Sequence, residues 1–323
     1  MITDTTRGRE QRIMSFDFDR PIDRRNSGSA KWNRYPADVL PMWVADMDFA
    51  VAPEILDALR ARLDHPVLGY AVARDALRAQ IVACMAQSYG WTVAPQEIVF
   101  LPGVEPGFNM SLRALLAPGE GVAFQTRMYR PTLNAPGHWN LTRLDVELRG
   151  SQDGRHRVDM TALGKALDNA RAFLFCNPHN PLGKVFGRDE LRAIAETCLA
   201  RKIVVISDEI HCDLLFDGRK HVPMASLGAA IADNTITLMS ASKTYNIAGL
   251  KTAFAIIRNE ALREKFNAAR AGMVDSVNVM GLEATLAAFA NAGAWKRDLI
   301  AYLQGKRDHL MKAVRTRLSG IRM

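Results

Sequence analysis

Seven short apolar runs in the middle of the chain constrain its fold more than any other feature. They occupy 98–101, 121–125, 142–148, 172–176, 203–207, 235–239 and 252–257, and most are continuous rather than alternating. Continuous runs of this length are what strands buried on both faces require. Helix-period segments separate them, as at 189–201, where Leu191, Ile194, Ala195, Cys198 and Leu199 fall on one face. Strand and helix in alternation predict a three-layer α/β fold with a seven-stranded, mainly parallel sheet. Only about a dozen residues join the sixth run to the seventh, barely enough for a helical crossover, so the last strand is expected to run antiparallel. Before the sheet, 53–63 and 75–89 read as helices, with Pro53 in a first turn where its missing N–H costs little. After it, Leu299, Leu303, Leu310, Val314 and Leu318 form a stripe on a helix from about 295 to 319, which Gly320 is placed to stop.

The 323 residues correspond to about two domains at roughly 150 residues each. The composition, 48% hydrophobic and 24% charged, is that of a globular protein with a sizeable core. No apolar run approaches the roughly 18 residues of a membrane span, and residues 1–12 are polar without a signal peptide's apolar centre, so a cytoplasmic protein without a membrane partner is expected. Cys84, Cys176, Cys198 and Cys212 show no C-x-x-C spacing, which suits reduced thiols better than zinc or disulfides. Of the net charge of +8, six units lie between Arg258 and the end (12 basic, 6 acidic residues). The aromatic interleaving of a nucleic-acid groove is missing there, so a solvated helix face is the better reading and no nucleic-acid partner is expected.

In doubly wound sheets, ligands bind beyond the carboxyl ends of the strands. Five such ends are rich in polar and turn residues: 101–107, 125–129, 177–183, 208–211 and 240–246. Nucleotide motifs fail, since the chain has neither G-x-x-x-x-G-K-[ST] nor G-x-G-x-x-G. What these ends hold is a lysine, an aspartate, an asparagine, serines and a glycine turn. A cofactor with an aldehyde, a pyridine nitrogen and a phosphate needs those types, and pyridoxal 5′-phosphate (PLP) fits. Lys243 in its serine-rich loop is the candidate Schiff-base lysine. Asp208 would pair with the pyridinium nitrogen. Gly103 and Val104 lead into a helix expected from about 107 to 116, whose positive end suits a phosphate, with Ser240 and Lys251 adding a hydroxyl and a cation.

With these motifs assembled, the chain resembles the aspartate-aminotransferase-fold (fold type I) PLP enzymes. Within the class I/II aminotransferase family it is similar to the cystathionine β-lyase, or cysteine-S-conjugate β-lyase, branch. The carriers are Leu-Pro-Met-Trp-Val-Ala-Asp-Met-Asp-Phe (40–49), Leu-Gly-Tyr (68–70), Cys-Asn-Pro-His-Asn-Pro-Leu-Gly-Lys-Val (176–185), Ser-Asp-Glu-Ile-His-Cys-Asp-Leu (207–214) and Ser-Ala-Ser-Lys-Thr-Tyr-Asn-Ile-Ala-Gly-Leu (240–250), in the family's order. The resemblance implies that Lys243 binds the cofactor covalently, that Asp208 is the pyridinium partner, and that Asn180 donates to the ring 3-oxygen with His211 beside it. It further implies that Tyr129 stacks on the ring, that Ser240 binds phosphate, and that Tyr70 reaches the cofactor of a second subunit in a homodimer with shared sites. Taken singly, Asn180 is equally a turn residue, His211 a structural histidine, and both tyrosines packing residues.

Leu182 replaces the usual threonine of the Asn-Pro-Thr-Gly turn, and 127–132 is more basic than the usual loop. Family members also continue into a C-terminal sheet and a carboxylate-binding arginine, so the smaller α/β domain is expected to be C-terminally incomplete. The expected division is 1–61 (arm and part of the small domain), 62–258 (large PLP-binding domain) and 259–323 (rest of the small domain). The resemblance implies a PLP-dependent lyase that releases thiol, pyruvate and ammonia from cystathionine or related cysteine S-conjugates. An aminotransferase, or a PLP-binding regulatory protein with impaired catalysis, uses the same residues.

Overall fold

The computed structural model describes residues 16–150, 155–274 and 276–321. The polar 1–12 segment and the last two residues, Arg322 and Met323, lie outside them. Helices α1 (Pro53–Leu63) and α2 (Asp75–Tyr89) precede strand β1 (Ile98–Leu101). Then follow α3 (Val104–Leu115), β2 (Gly121–Thr126), α4 (Arg130–His138), β3 (Thr142–Gly150), β4 (His156–Val158), α5 (Met160–Leu167) and β5 (Ala172–Cys176). The remainder is α6 (Arg188–Ala200), β6 (Val204–Asp208), α7 (Ala229–Asp233), β7 (Thr235–Met239), β8 (Ala253–Ile256), α8 (Glu260–Arg270), α9 (Val279–Asn291) and α10 (Gly293–Arg317).

The sheet has the order β1-β8-β7-β6-β5-β2-β3-β4. Strands β7, β6, β5, β2 and β3 run parallel, and β8 is antiparallel to both β7 and β1. The short link between β7 and β8 therefore reverses the chain, as its length requires. The sheet has eight strands rather than seven. The extra one, β4, is a three-residue His-Arg-Val segment paired antiparallel with β3, too short and polar to register as an apolar run.

Alternate side chains of each central strand enter different layers. Phe124, Leu174, Ile206 and Leu238 pack with Phe108 of α3 and Phe266 of α8. Phe173, Phe175 and Val205 face the other way, against Leu163 of α5 and Leu191 and Ile194 of α6. Both faces are thus covered, which explains why these runs are continuously apolar. A further core joins the two ends of the chain to the loop after β7: Phe18 and Ile55 pack with Tyr245, Ala284, Trp295 and Leu299.

Three local expectations need correction. Helix α3 begins at Val104, not near 107, because Pro106 occupies its first turn, where no intrahelical N–H bond is lost. Helix α10 ends at Arg317 with Leu318 as its cap, so Gly320 (φ 84°) lies beyond the capping position. On the same helix Leu299 and Val314 are buried but Leu310 and Leu318 are exposed, so the apolar stripe is covered only in part. Among the described residues no helix is long and apolar enough to cross a membrane.

Candidate active site

The carboxyl ends of the parallel strands and the turn before β8 open onto one cleft of about 1260 Å³. It brings together Gly103, Val104, Tyr129, Asn180, Asp208, His211, Lys243 and Lys251. Segments separated by more than a hundred residues meet there because parallel strands bring all their carboxyl ends to one edge of the sheet.

Asp208 is the last residue of β6 and is 6% exposed. Its Oδ1 accepts a hydrogen bond from the Ile210 N–H at 3.1 Å, and no basic side chain among the described residues forms an ion pair with it. Burial pushes its carboxyl up to about 7, against the backbone bond that favours the charged form. Such a group suits a cationic nitrogen delivered by a ligand. Lys243 lies in the turn after β7, with its amine driven below the usual lysine range by burial, while Asp46 and Asp208 pull the other way. His211 is held down to about 4 by burial and by the neighbouring Lys243, so its imidazole is neutral near pH 7 and able to donate or accept one hydrogen bond.

Tyr129 caps the start of α4 and is 43% exposed; burial, then Glu105 and Asp208, raise its phenol above the ordinary range. Gly103 is the N-cap of α3 and offers no side-chain cap, so the first N–H groups of this 12-residue helix remain free for an anion. Lys251, in the left-handed conformation (φ 47°), caps the turn that precedes β8 and lines the same cleft.

Two of the ten expected residues lie elsewhere. Ser240 is not part of the lining: its Oγ donates to Thr252 O at 2.7 Å and accepts from Ser242 N at 2.9 Å, closing the turn. Ser242, two residues on, lines the cleft. Both serines stand in the same short motif, and only the turn's hydrogen bonds separate their roles. Tyr70 is fully exposed and outside the cleft. Sequence reasoning also missed Arg34, Trp43 and Ala45, which the segment before α1 brings to the cleft; the 40–49 motif was a signal for them, but without a chemical role attached.

The residues present fit PLP. Asp208 is a buried carboxyl with no ion-pair partner among the described residues, Lys243 a partly desolvated amine, Asn180 and His211 polar groups in the same cleft, and the α3 N-terminus with Lys251 and Ser242 an anion cradle.

Comparison with known proteins agrees with this arrangement. The family model for aminotransferase class I and II matches residues 37–323. Cystathionine β-lyase PatB of Bacillus subtilis (strain 168) is 35% identical over 320 residues, covering 95% of this chain and 81% of the relative. Among solved structures, the PLP-bound putative aminotransferase from Clostridium difficile 630 superposes with a TM-score of 0.90 at 31% identity, covering 93% of this chain and 79% of the other. The PLP-bound C–S lyase from Staphylococcus hominis superposes with a TM-score of 0.88 at 29% identity, covering 95% and 79%. The chain belongs to the class I and II aminotransferase family.

Proposed function

We propose that the protein is a PLP-dependent carbon–sulfur β-lyase acting on cystathionine or related L-cysteine S-conjugates, with release of a thiol, pyruvate and ammonia. The observation that carries the reading is the meeting in one cleft of a buried Asp208 with no ion-pair partner among the described residues, a desolvated Lys243 and the open N-terminus of α3. The similarity to a cystathionine β-lyase and to a C–S lyase supports the choice of reaction.

PLP, when bound, supplies an aldehyde carbon that takes up amines and a ring that accepts electron density from the substrate's Cα. In this reading Asp208 holds a proton on the ring nitrogen. Asn180 and His211 would bind the ring oxygen, and Tyr129 would pack against the ring. The N–H groups at Gly103 and Val104, Lys251 and the serine turn of Ser240 and Ser242 would hold the phosphate. Lys243 Nζ holds the cofactor at rest and, once freed, takes the proton from the substrate's Cα, within reach because it was released at that point. The Cβ–S bond would then break with its electron pair leaving on sulfur, which takes up a proton as the thiol, and the released enamine would add one water to give pyruvate and ammonia. An aminotransferase reaction uses the same residues, and the superposition with a putative aminotransferase keeps it as the second reading.

We also read 62–258 as the large domain and 1–61 with 259–323 as the smaller one, supported by the core that Phe18 and Ile55 share with Trp295 and Leu299. A cytoplasmic homodimer completes the proposal. Leu40, Met42, Leu68, Tyr70 and Val72 are all more than half exposed, and apolar surface of this kind favours a partner.

The test is direct. PLP-loaded protein should absorb in the visible and release pyruvate from cystathionine without an added keto acid, and Lys243→Ala should lose both properties. A variant that keeps a borohydride-reducible chromophore would overturn the assignment of Lys243. Turnover that depends on a keto acid would favour the aminotransferase.

A further inference from the structure

The motif at 40–49 contains two aspartates that the reaction above does not use. Asp48 is fully engaged: it accepts from Arg24 Nη1 at 2.7 Å, Lys31 Nζ at 2.6 Å and Trp32 Nε1 at 2.8 Å. Asp46 is different. Its Oδ2 takes Arg24 Nη2 at 2.5 Å, while its Oδ1 is buried and has no partner among the described residues. Buried acceptor oxygens are ordinarily paired, so one left open calls for an explanation.

The surroundings of Asp46 supply one. Ala45, just before it, lines the cleft together with Lys243. Met47, just after it, is fastened to Asn246, three residues beyond Lys243. The Asn246 carboxamide accepts from Met47 N at 2.9 Å and donates to Met47 O at 3.0 Å and Phe49 O at 2.9 Å. Asn246 is in the left-handed conformation (φ 58°), which asparagine tolerates better than most residues. This three-bond clamp fixes the 46–49 strap to the lysine loop. Arg24 and Lys31, the latter bonded to Asp46 O at 3.0 Å, hold the strap from its other side.

We propose that Asp46 is a positioning residue for Lys243: the Asn246 clamp keeps its open carboxylate oxygen close enough to the lysine loop to favour the protonated form of the Lys243 nitrogen. The inference rests on the reading of Lys243 as the cofactor-binding base. Lys243 is attracted by Asp46 and Asp208, in that order, and repelled by Lys251; His211 lies near enough to feel its charge. The other charged or titratable groups lining the cleft are Arg34, Glu105, Tyr129, Arg130 and Cys176. When Asp208 serves the ring nitrogen, Asp46 remains as the carboxylate that offsets the desolvation of Lys243.

The experiment is a pH titration of the visible absorbance of PLP-loaded protein, which reads the proton on the Lys243 nitrogen without turnover. Asp46→Asn should lower the midpoint by about one pH unit, the scale of a removed opposite charge nearby. Asp46→Glu should stay near the parent, and so should Asp48→Asn, which cuts the same salt-bridge cluster but leaves Asp46 in place. An unchanged midpoint in Asp46→Asn overturns the proposal, as does an equal fall in Asp48→Asn, which would assign the effect to the strap as a whole. If Asp46→Asn does not hold PLP, Asn246→Gly, which keeps the backbone conformation and removes the clamp, decides in its place: its midpoint falls if the proposal holds and stays if it does not. Absence of the chromophore from the parent protein, or its survival in Lys243→Ala, would instead overturn the reading of the site itself.

Discussion

Replacing His221 with alanine tests the support beneath the site. Glu209 follows Asp208 directly, and its side chain and that of His221 are both fully buried, with His221 Nε2 and Glu209 Oε2 2.6 Å apart. Glu209 Oε1 also accepts from Ser207 Oγ at 2.8 Å and Met224 N at 3.0 Å, and Tyr89 packs edge-on against the His221 ring. Removing one member of a buried, strongly bonded pair costs about 3–5 kcal/mol, mainly through the partner left behind. Glu209 keeps two neutral donors, which places His221→Ala at the low end, about 3 kcal/mol, or roughly a 150-fold change in the folding equilibrium. The assay is urea unfolding of the PLP-free protein, followed by fluorescence, where the loss should appear as a lower midpoint at unchanged slope. In a double-mutant cycle with Glu209→Gln, the two losses should be clearly less than additive. A loss below about 1 kcal/mol, or additive losses, would show that the pair does not hold the end of β6 and would refute the reasoning.

Two further outcomes are expected. In PLP-free protein the carboxyl of Asp208 titrates near 7 instead of in the ordinary acid range; the folded state therefore binds the extra proton, and this group makes stability fall as pH rises from about 4 to about 7. Thermal midpoints of Asp208→Asn and the parent should accordingly diverge in the variant's favour across that window, and parallel profiles would contradict the burial argument. Tyr70→Ala, which touches nothing in the cleft of its own chain, should weaken PLP retention without unfolding the subunit if a second copy uses it; sedimentation showing a monomer at assay concentrations would exclude the shared site.

Much of the site was legible because its chemistry sits in short contiguous motifs. Asp208 ends a buried strand, Lys243 and Asn180 each follow one, and a run of apolar residues announces both the strand's burial and the place where it ends. Ser240 shows the limit of that legibility. A serine two residues away serves the cleft equally well on paper, and the choice depends on which hydroxyl the turn uses for its own backbone. Strand β4 was illegible for another reason, since three polar-flanked residues carry no periodicity and pair only because β3 extends past its neighbours.

By itself, the sequence determined the layered architecture, the reversal of the last strand and the residue types gathered at the strand ends, because burial on both faces and the length of a connection are written locally. Tertiary structure alone decided that Asn246 clamps Met47 across 199 positions, that His221 supports the residue after Asp208, and that Asp46 keeps one oxygen open beside the lysine loop. Those contacts join segments with no shared period, and only the folded chain brings them within bonding distance.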